Sequence, residues 1–177
     1  MSLLSKIKSE YKVDKNEMSL TDYLKLCGED KMAYASSAER ILNSIGEAKI
    51  VDTKDDPQLS RIHQNKKLRI YPAFSEFYGM EAVIDNIVSF FKHAAQGLEE
   101  SKQILYLMGP VGSAKSSLAE RLKKLMQKEP IYVLKVGDEL SPVNESPLGL
   151  FCDHKDELED EYNIPSRYVP NCMSPWA

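Results

Sequence analysis

The residues Gly109-Pro-Val-Gly-Ser-Ala-Lys-Ser116, followed by Ser117, combine glycines, a cation and hydroxyls at the spacing of a phosphate-binding loop. Such a loop links a strand to a helix N-terminus, so that backbone N–H groups from Gly109, Pro110, Val111, Gly112, Ser113 and Ala114 onward surround phosphate oxygens (proline supplying shape, not a donor). The helix dipole adds to that attraction. Lys115 would reach the β- and γ-phosphates of a nucleoside triphosphate, and the Ser116 hydroxyl would ligate Mg²⁺. Gly109 and Gly112 supply the turn and the close backbone approach. The position before the lysine is Ala114 where the pattern has glycine; at negative φ the methyl is tolerable, and at positive φ it costs about 1–2 kcal/mol. ATP with Mg²⁺ is therefore the expected ligand, and a glycine-containing strand-to-helix turn beside an unrelated lysine is the competing reading.

The flanking elements must place that loop. Gln103–Met108 is a continuous apolar run, expected to be a strand buried on both faces as in a parallel sheet. Ser116–Gln127 has helical spacing through Leu118, Leu122 and Leu125, and Ile131–Val136 reads as a second strand. Together they predict one βαβ unit and an α/β core. Upstream, Met80–Gln96 carries an apolar stripe of Val83, Ile84, Ile87, Val88, Phe91 and Ala94, closed by Gly97. Residues 1–48 read as short helices, one capped by Ser19 with Asp22 in a box-like arrangement and stopped at Gly28. Another is capped by Ser36 or Ser37 and ends at Gly46. Residues 49–73 read as polar and irregular, and Asp153–Tyr162 as a short acidic helix bounded by Asn163 and Pro165.

With 42% hydrophobic and 28% charged residues over 177 positions, disorder of the whole chain is excluded. A net charge of −4 argues against a dedicated nucleic-acid binder, so Arg61, Lys66, Lys67 and Arg69 are read as a solvated loop. Cys27, Cys152 and Cys172 are dispersed and odd in number, which fits a reducing cytoplasm better than a disulfide framework. Cys152 and His154 lack further ligands at metal-site spacing, and His63 and His93 have no partner signal. The first residues, Met1–Tyr11, have no apolar signal region, and the run Ile104–Met108 is far short of a membrane span. The expectation is a cytoplasmic chain with no membrane partner.

A Walker B carboxylate, which would hold or polarise the metal's water shell, is not assigned. Asp138 and Glu139 follow a strand-like run interrupted by Lys135 and Gly137 and are read as loop residues. The residues after Ser116 are too few for a full doubly wound sheet, whose βαβ units take about 30 residues each, so the chain reads as truncated. Ser113, Ser116 and Ser117 have no histidine-and-acid arrangement that would make them nucleophiles.

Several blocks resemble the PrkA-type bacterial serine protein kinases. They are Tyr34–Arg40, Tyr71–Glu81, His93–Glu100, Gln103–Gly112, Lys115–Leu122 and Ser141–Asn144, in a similarity running from about Met18 to the last residue. The resemblance implies a helical N-terminal lead over 1–72. It implies over 73–177 the front part of an AAA-type P-loop ATPase domain with a parallel-sheet core, its Walker B and sensor residues and a kinase region lying beyond Ala177. Phosphoryl transfer from ATP to protein serine or threonine by the full-length protein, unidentified protein substrates and an AAA-type homo-oligomer are also implications of that likeness. Phe77-Tyr-Gly-Met-Glu81 is similar to the segment lining the adenine pocket in AAA-type ATPases, which makes Tyr78 and Gly79 candidate base contacts; alternatively Phe77 and Tyr78 anchor the following helix in the core. An ATP-driven remodeller or unfoldase and a non-catalytic nucleotide-sensing module are the alternatives from other functional classes.

Overall fold

Helices are set by their caps and joined by irregular segments in a computed structural model that describes residues 17–55, 60–61 and 67–176. Helix α1 (Leu20–Glu29) starts where Ser19 Oγ accepts the Asp22 N–H at 3.2 Å. Asp22, one methylene shorter than glutamate, takes the Ser19 hydroxyl proton at 2.7 Å instead of reaching back to the cap's backbone. The helix passes through Gly28, where the sequence suggested a stop, because this glycine keeps a negative φ and does not turn the chain into the left-handed region. A Cβ there would lie 3.6 Å from the Tyr162 carbonyl oxygen.

Helix α2 (Ser37–Ile45) has a complete capping box from Ser36 and Glu39 and ends at Gly46 with φ 75°. Strands β1 (Lys49–Asp52) and β2 (Lys67–Ile70) then pair antiparallel, with Lys49 opposite Ile70 and Asp52 opposite Lys67. This corrects the reading of 49–73 as irregular: four-residue strands rich in charge give too short a pattern to stand out. Lys67 and Arg69 of the basic stretch therefore lie on β2, whereas Lys66 and His63 fall outside the described residues.

Helix α3 (Glu81–Ala95) is followed by Gly97 at φ 78°, as its apolar stripe predicts. Residues 104–110 then run to the loop without joining any sheet among the described residues. Leu105 and Leu107 pack on the core, while Ile104, Tyr106 and Met108 are 90%, 77% and 83% exposed. The strand expected here is not formed among the described residues: one side of the run is partly buried on the core and the other is uncovered, with no neighbouring strand to pair with. Helix α4 (Lys115–Met126) follows the loop. Of the run 131–136 only Lys135–Val136 is a strand, β3, and its partner is β4 (Glu139–Leu140) in an antiparallel hairpin. A parallel βαβ pairing is accordingly not formed among the described residues. Gly137 at φ 59° takes the first position of the hairpin turn, and Asp138 the second. Helix α5 (Lys155–Tyr162) ends at Asn163 in the left-handed region, φ 55°.

Two apolar cores organise these elements. The first joins Ile41 and Ile45 of α2, Phe74, Phe77, three residues of α3 (Ile84, Ile87 and Val88), and Leu118 and Leu125 of α4. It draws on residues from both sides of position 72. The second gathers Tyr23, Leu24 and Cys27 of α1 with Leu148, Leu158, Ile164 and Val169. Among the described residues no helix is long and apolar enough to cross a membrane.

Candidate functional site

The loop from Gly109 to Ala114 is held by its own polar groups. Ser113 Oγ donates to the Pro110 carbonyl at 2.8 Å. Lys115 Nζ donates to the carbonyls of Gly109 at 2.8 Å and Pro110 at 2.5 Å, and to Ser113 Oγ at 2.9 Å. The ammonium thus sits inside the loop, among three oxygen acceptors. Gly109 is required by a close approach: a Cβ there would meet Ser113 Oγ at 2.9 Å. Gly112 is required by its backbone, at φ 84°.

Ala114 is the cap residue of α4 and adopts φ 56°, ψ 14°, in the left-handed region. The unfavourable branch of the sequence argument therefore applies, and the alanine carries a strain of about 1–2 kcal/mol that glycine would not. Its methyl is half-buried against the first core, which offsets part of that cost. Alanine has no side-chain acceptor, so no side chain caps α4. The first intrahelical bond is Leu118 N–H to the Ala114 carbonyl at 2.9 Å. The N–H groups of Lys115, Ser116 and Ser117 precede that bond and remain open to an anion, with the helix dipole behind them.

Ser116 and Ser117 are exposed on the first turn of α4. Val111 is fully exposed, and Gly109, Pro110 and Gly112 are exposed with it, while Ser113, Ala114 and Lys115 are half-buried. The arrangement fits a triphosphate with Mg²⁺: open N–H donors, one ammonium and a free-standing hydroxyl in the first turn. The far side of the loop is anchored by α4, whose Leu118 and Leu125 are fully buried and whose Arg121 Nε donates to the Ala73 carbonyl at 2.7 Å.

Tyr78 and Gly79 lie in the turn before α3. Phe77 is buried in the first core, whereas Tyr78 is 88% exposed. Phe77 therefore anchors in the core as one reading had it, and Tyr78 does not. Gly79 sits at φ 75°, and its N–H donates to Glu81 Oε1 at 3.2 Å. Asp138 and Glu139 are exposed in the β3–β4 hairpin, Asp138 in its turn and Glu139 at the start of β4. No group of three or more histidine, cysteine, aspartate or glutamate side chains with metal-site geometry occurs among the described residues. His93 Nδ1 is 3.0 Å from Glu100, and His154 Nδ1 is 3.3 Å from Glu157.

A polar cluster that the sequence reading missed surrounds Glu39. It accepts from Lys31 at 2.7 Å, from the Tyr168 hydroxyl at 2.7 Å and from the Ser36 N–H at 2.9 Å. Burial alone would raise this carboxyl, but the bonds from Lys31, Tyr168 and Ser36 outweigh it and bring its pKa from 4.5 to about 2. Only the capping half was legible beforehand, because Tyr168 lies far away in sequence.

Comparisons with known proteins give the chain's family. The PrkA AAA domain family matches residues 18–177. The chain is 54% identical to the protein named serine/threonine kinase YeaG of Escherichia coli (strain K12) over 180 residues, covering 100% of this chain and 28% of that protein. It is 31% identical to the ATP-dependent protease PrkA of Bacillus subtilis (strain 168) over 175 residues, covering 93% of this chain and 25% of that one. The chain thus spans about a quarter of the length of these relatives. No solved structure matches it. With a family match over nearly all its length, the chain belongs to the PrkA AAA domain family.

Proposed function

We propose that this chain is the ATP-binding module of a serine/threonine protein kinase, and that the protein containing it transfers the γ-phosphoryl group of Mg-ATP to hydroxyls of protein substrates. The observation that carries the binding half is the geometry at Ala114–Ser117: open N–H donors at a helix start, with Lys115 folded into the same loop. For phosphate to bind, Lys115 Nζ exchanges the carbonyls of Gly109 and Pro110 for phosphate oxygens, Ser116 Oγ ligates Mg²⁺, and Tyr78 stacks on the base. The transfer half rests on the name of the Escherichia coli relatives. Residues outside this chain would then supply the metal-holding carboxylate and the group that activates the substrate hydroxyl.

In the same reading, further strands of the protein pair with residues 104–108 and complete a parallel sheet, covering Ile104, Tyr106 and Met108. The intact protein is cytoplasmic and assembles as a homo-oligomer in the manner of AAA-type domains. A second reading, ATP-driven remodelling coupled to proteolysis, draws on the Bacillus subtilis relative's name.

The deciding experiment incubates the intact protein with γ-labelled ATP, Mg²⁺ and protein acceptors, following label in protein, ADP release and peptide release together. Label on serine or threonine, lost in Lys115→Ala, supports the kinase reading. ADP and peptide release with no labelled protein would overturn it in favour of the second.

A further inference from the structure

At the opposite end of α4 from the phosphate loop lies a cleft of about 260 Å³ into which Arg40 faces. Helix α4 has 12 residues, so this cleft is about 17 Å from the loop along the helix. Its walls include Tyr34, Tyr132 and Tyr168, and its polar groups include Asn144 and Ser146. The walls are held in place: Tyr34 packs edge-on against Tyr168 at 4.9 Å, and Tyr132 packs on Tyr23 at 5.3 Å.

Arg40 is the anomaly. It is only 7% exposed, and its Nε has no hydrogen-bond partner among the described residues. A buried guanidinium is costly unless an acceptor pairs with it. The carboxylates nearby are already engaged. Glu39 binds Lys31, Tyr168 and Ser36; Glu129 is the carboxylate whose charge acts on Arg40 through space, and its Oε1 accepts from Asn43 at 2.9 Å. Lys31 and Arg167 stand over the Tyr168 ring at 5.8 and 4.7 Å, and both are paired with Glu39, at 2.7 and 3.9 Å.

We propose that this cleft is a second binding site, taking a small ligand that bears a phosphate or carboxylate group, with Arg40 as its charge partner. A guanidinium presents paired N–H donors that match either oxyanion. Asn144 and Ser146 supply further hydrogen bonds at the rim, and the tyrosine rings would flank the ligand's body. Because the cleft includes Met126 at the end of α4 and Ala35 and Ser37 around the start of α2, a bound oxyanion would tie the α2 cap to the helix that begins at the phosphate loop.

The test follows the Nε–H resonance of Arg40 by NMR in the intact protein during titration with inorganic phosphate, and separately with acetate, at constant ionic strength. The titration is repeated in Lys115→Ala, so that phosphate at the loop does not contribute. The expected result is a downfield, saturable shift in both backgrounds, half-complete in the millimolar range, with Arg40→Met abolishing the accompanying shifts of the Tyr34 and Tyr132 ring resonances. Arg40→Lys, which keeps the charge but loses the fork, should weaken the Tyr34 and Tyr132 ring response several-fold. An Arg40 resonance already downfield and insensitive to both anions would mean that a carboxylate from the rest of the protein occupies the cleft, overturning the small-ligand proposal. A resonance at its free position that responds to neither anion would overturn it as well.

Discussion

Replacing Ala114 by glycine tests the backbone argument at the loop, because the sign of its effect depends on the φ of one residue. At φ 56° an alanine is disfavoured by about 1–2 kcal/mol relative to glycine. Two terms oppose the gain: glycine's greater freedom in the unfolded chain, about 0.4–1 kcal/mol, and the loss of a half-buried methyl, about 0.4 kcal/mol. The balance is near zero to about 1 kcal/mol of stabilisation, or up to about 2–4 °C in Tm for a domain of this size. Were the residue at ordinary negative φ, glycine would instead cost about 0.5–1 kcal/mol. Ala114→Val sharpens the contrast, since a β-branched side chain at this φ should be destabilising by about 2 kcal/mol or more. Thermal unfolding of the three variants with and without Mg-ATP gives the order glycine, alanine, valine, with ATP affinity unchanged or tighter in the glycine form. A glycine variant destabilised by more than about 0.5 kcal/mol would refute the left-handed assignment and the strain argument with it.

Three further outcomes follow from the structure. Glu39 has its pKa lowered to about 2 from 4.5, so its contribution is full above pH 4.5 and is lost as the pH falls toward 2. Discounting for the half-exposed Lys31, that contribution is about 1–2 kcal/mol, and Glu39→Gln should remove it and flatten the acid limb of a stability-against-pH curve. Gly109→Ala places a Cβ 2.9 Å from Ser113 Oγ and should push Ser113 off the Pro110 carbonyl. Calorimetric titration should then show ATP affinity lowered by about tenfold, with loss of roughly 1 kcal/mol of loop hydrogen bonding. Finally, if later strands pair with the 104–108 segment, hydrogen exchange in the intact protein should find the Leu105 and Leu107 amides protected as strongly as the α4 interior; rapid exchange would contradict the parallel-sheet proposal.

The helices were legible because their ends carry chemistry that acts within a few residues. Ser36, Gly46, Gly97 and Asn163 each fix a boundary locally. The turn into α4 was legible for the same reason, its glycines, lysine and serine being contiguous. What sequence reasoning missed depends on partners distant along the chain. Strands β1 and β2 stabilise each other across a long connection, and the Glu39 cluster needs Tyr168. The run at 104–108 was read as buried on both faces from its apolarity, and its outward residues remain exposed because apolarity reports a need for cover without specifying what supplies it. The left-handed φ of Ala114 was the one loop property that residue type alone could not decide.

The central claim is that Lys115 and the start of α4 bind the phosphates of ATP, and the most direct measurement is ATP affinity of the intact protein against its Lys115→Ala variant, with circular dichroism as the check on folding. In the proposed complex Lys115 makes charge-assisted bonds to phosphate oxygens whose loss is worth about 1.5–3 kcal/mol, so a drop of at least tenfold in affinity with an unchanged spectrum is predicted. Equal affinity in a folded variant would contradict the account.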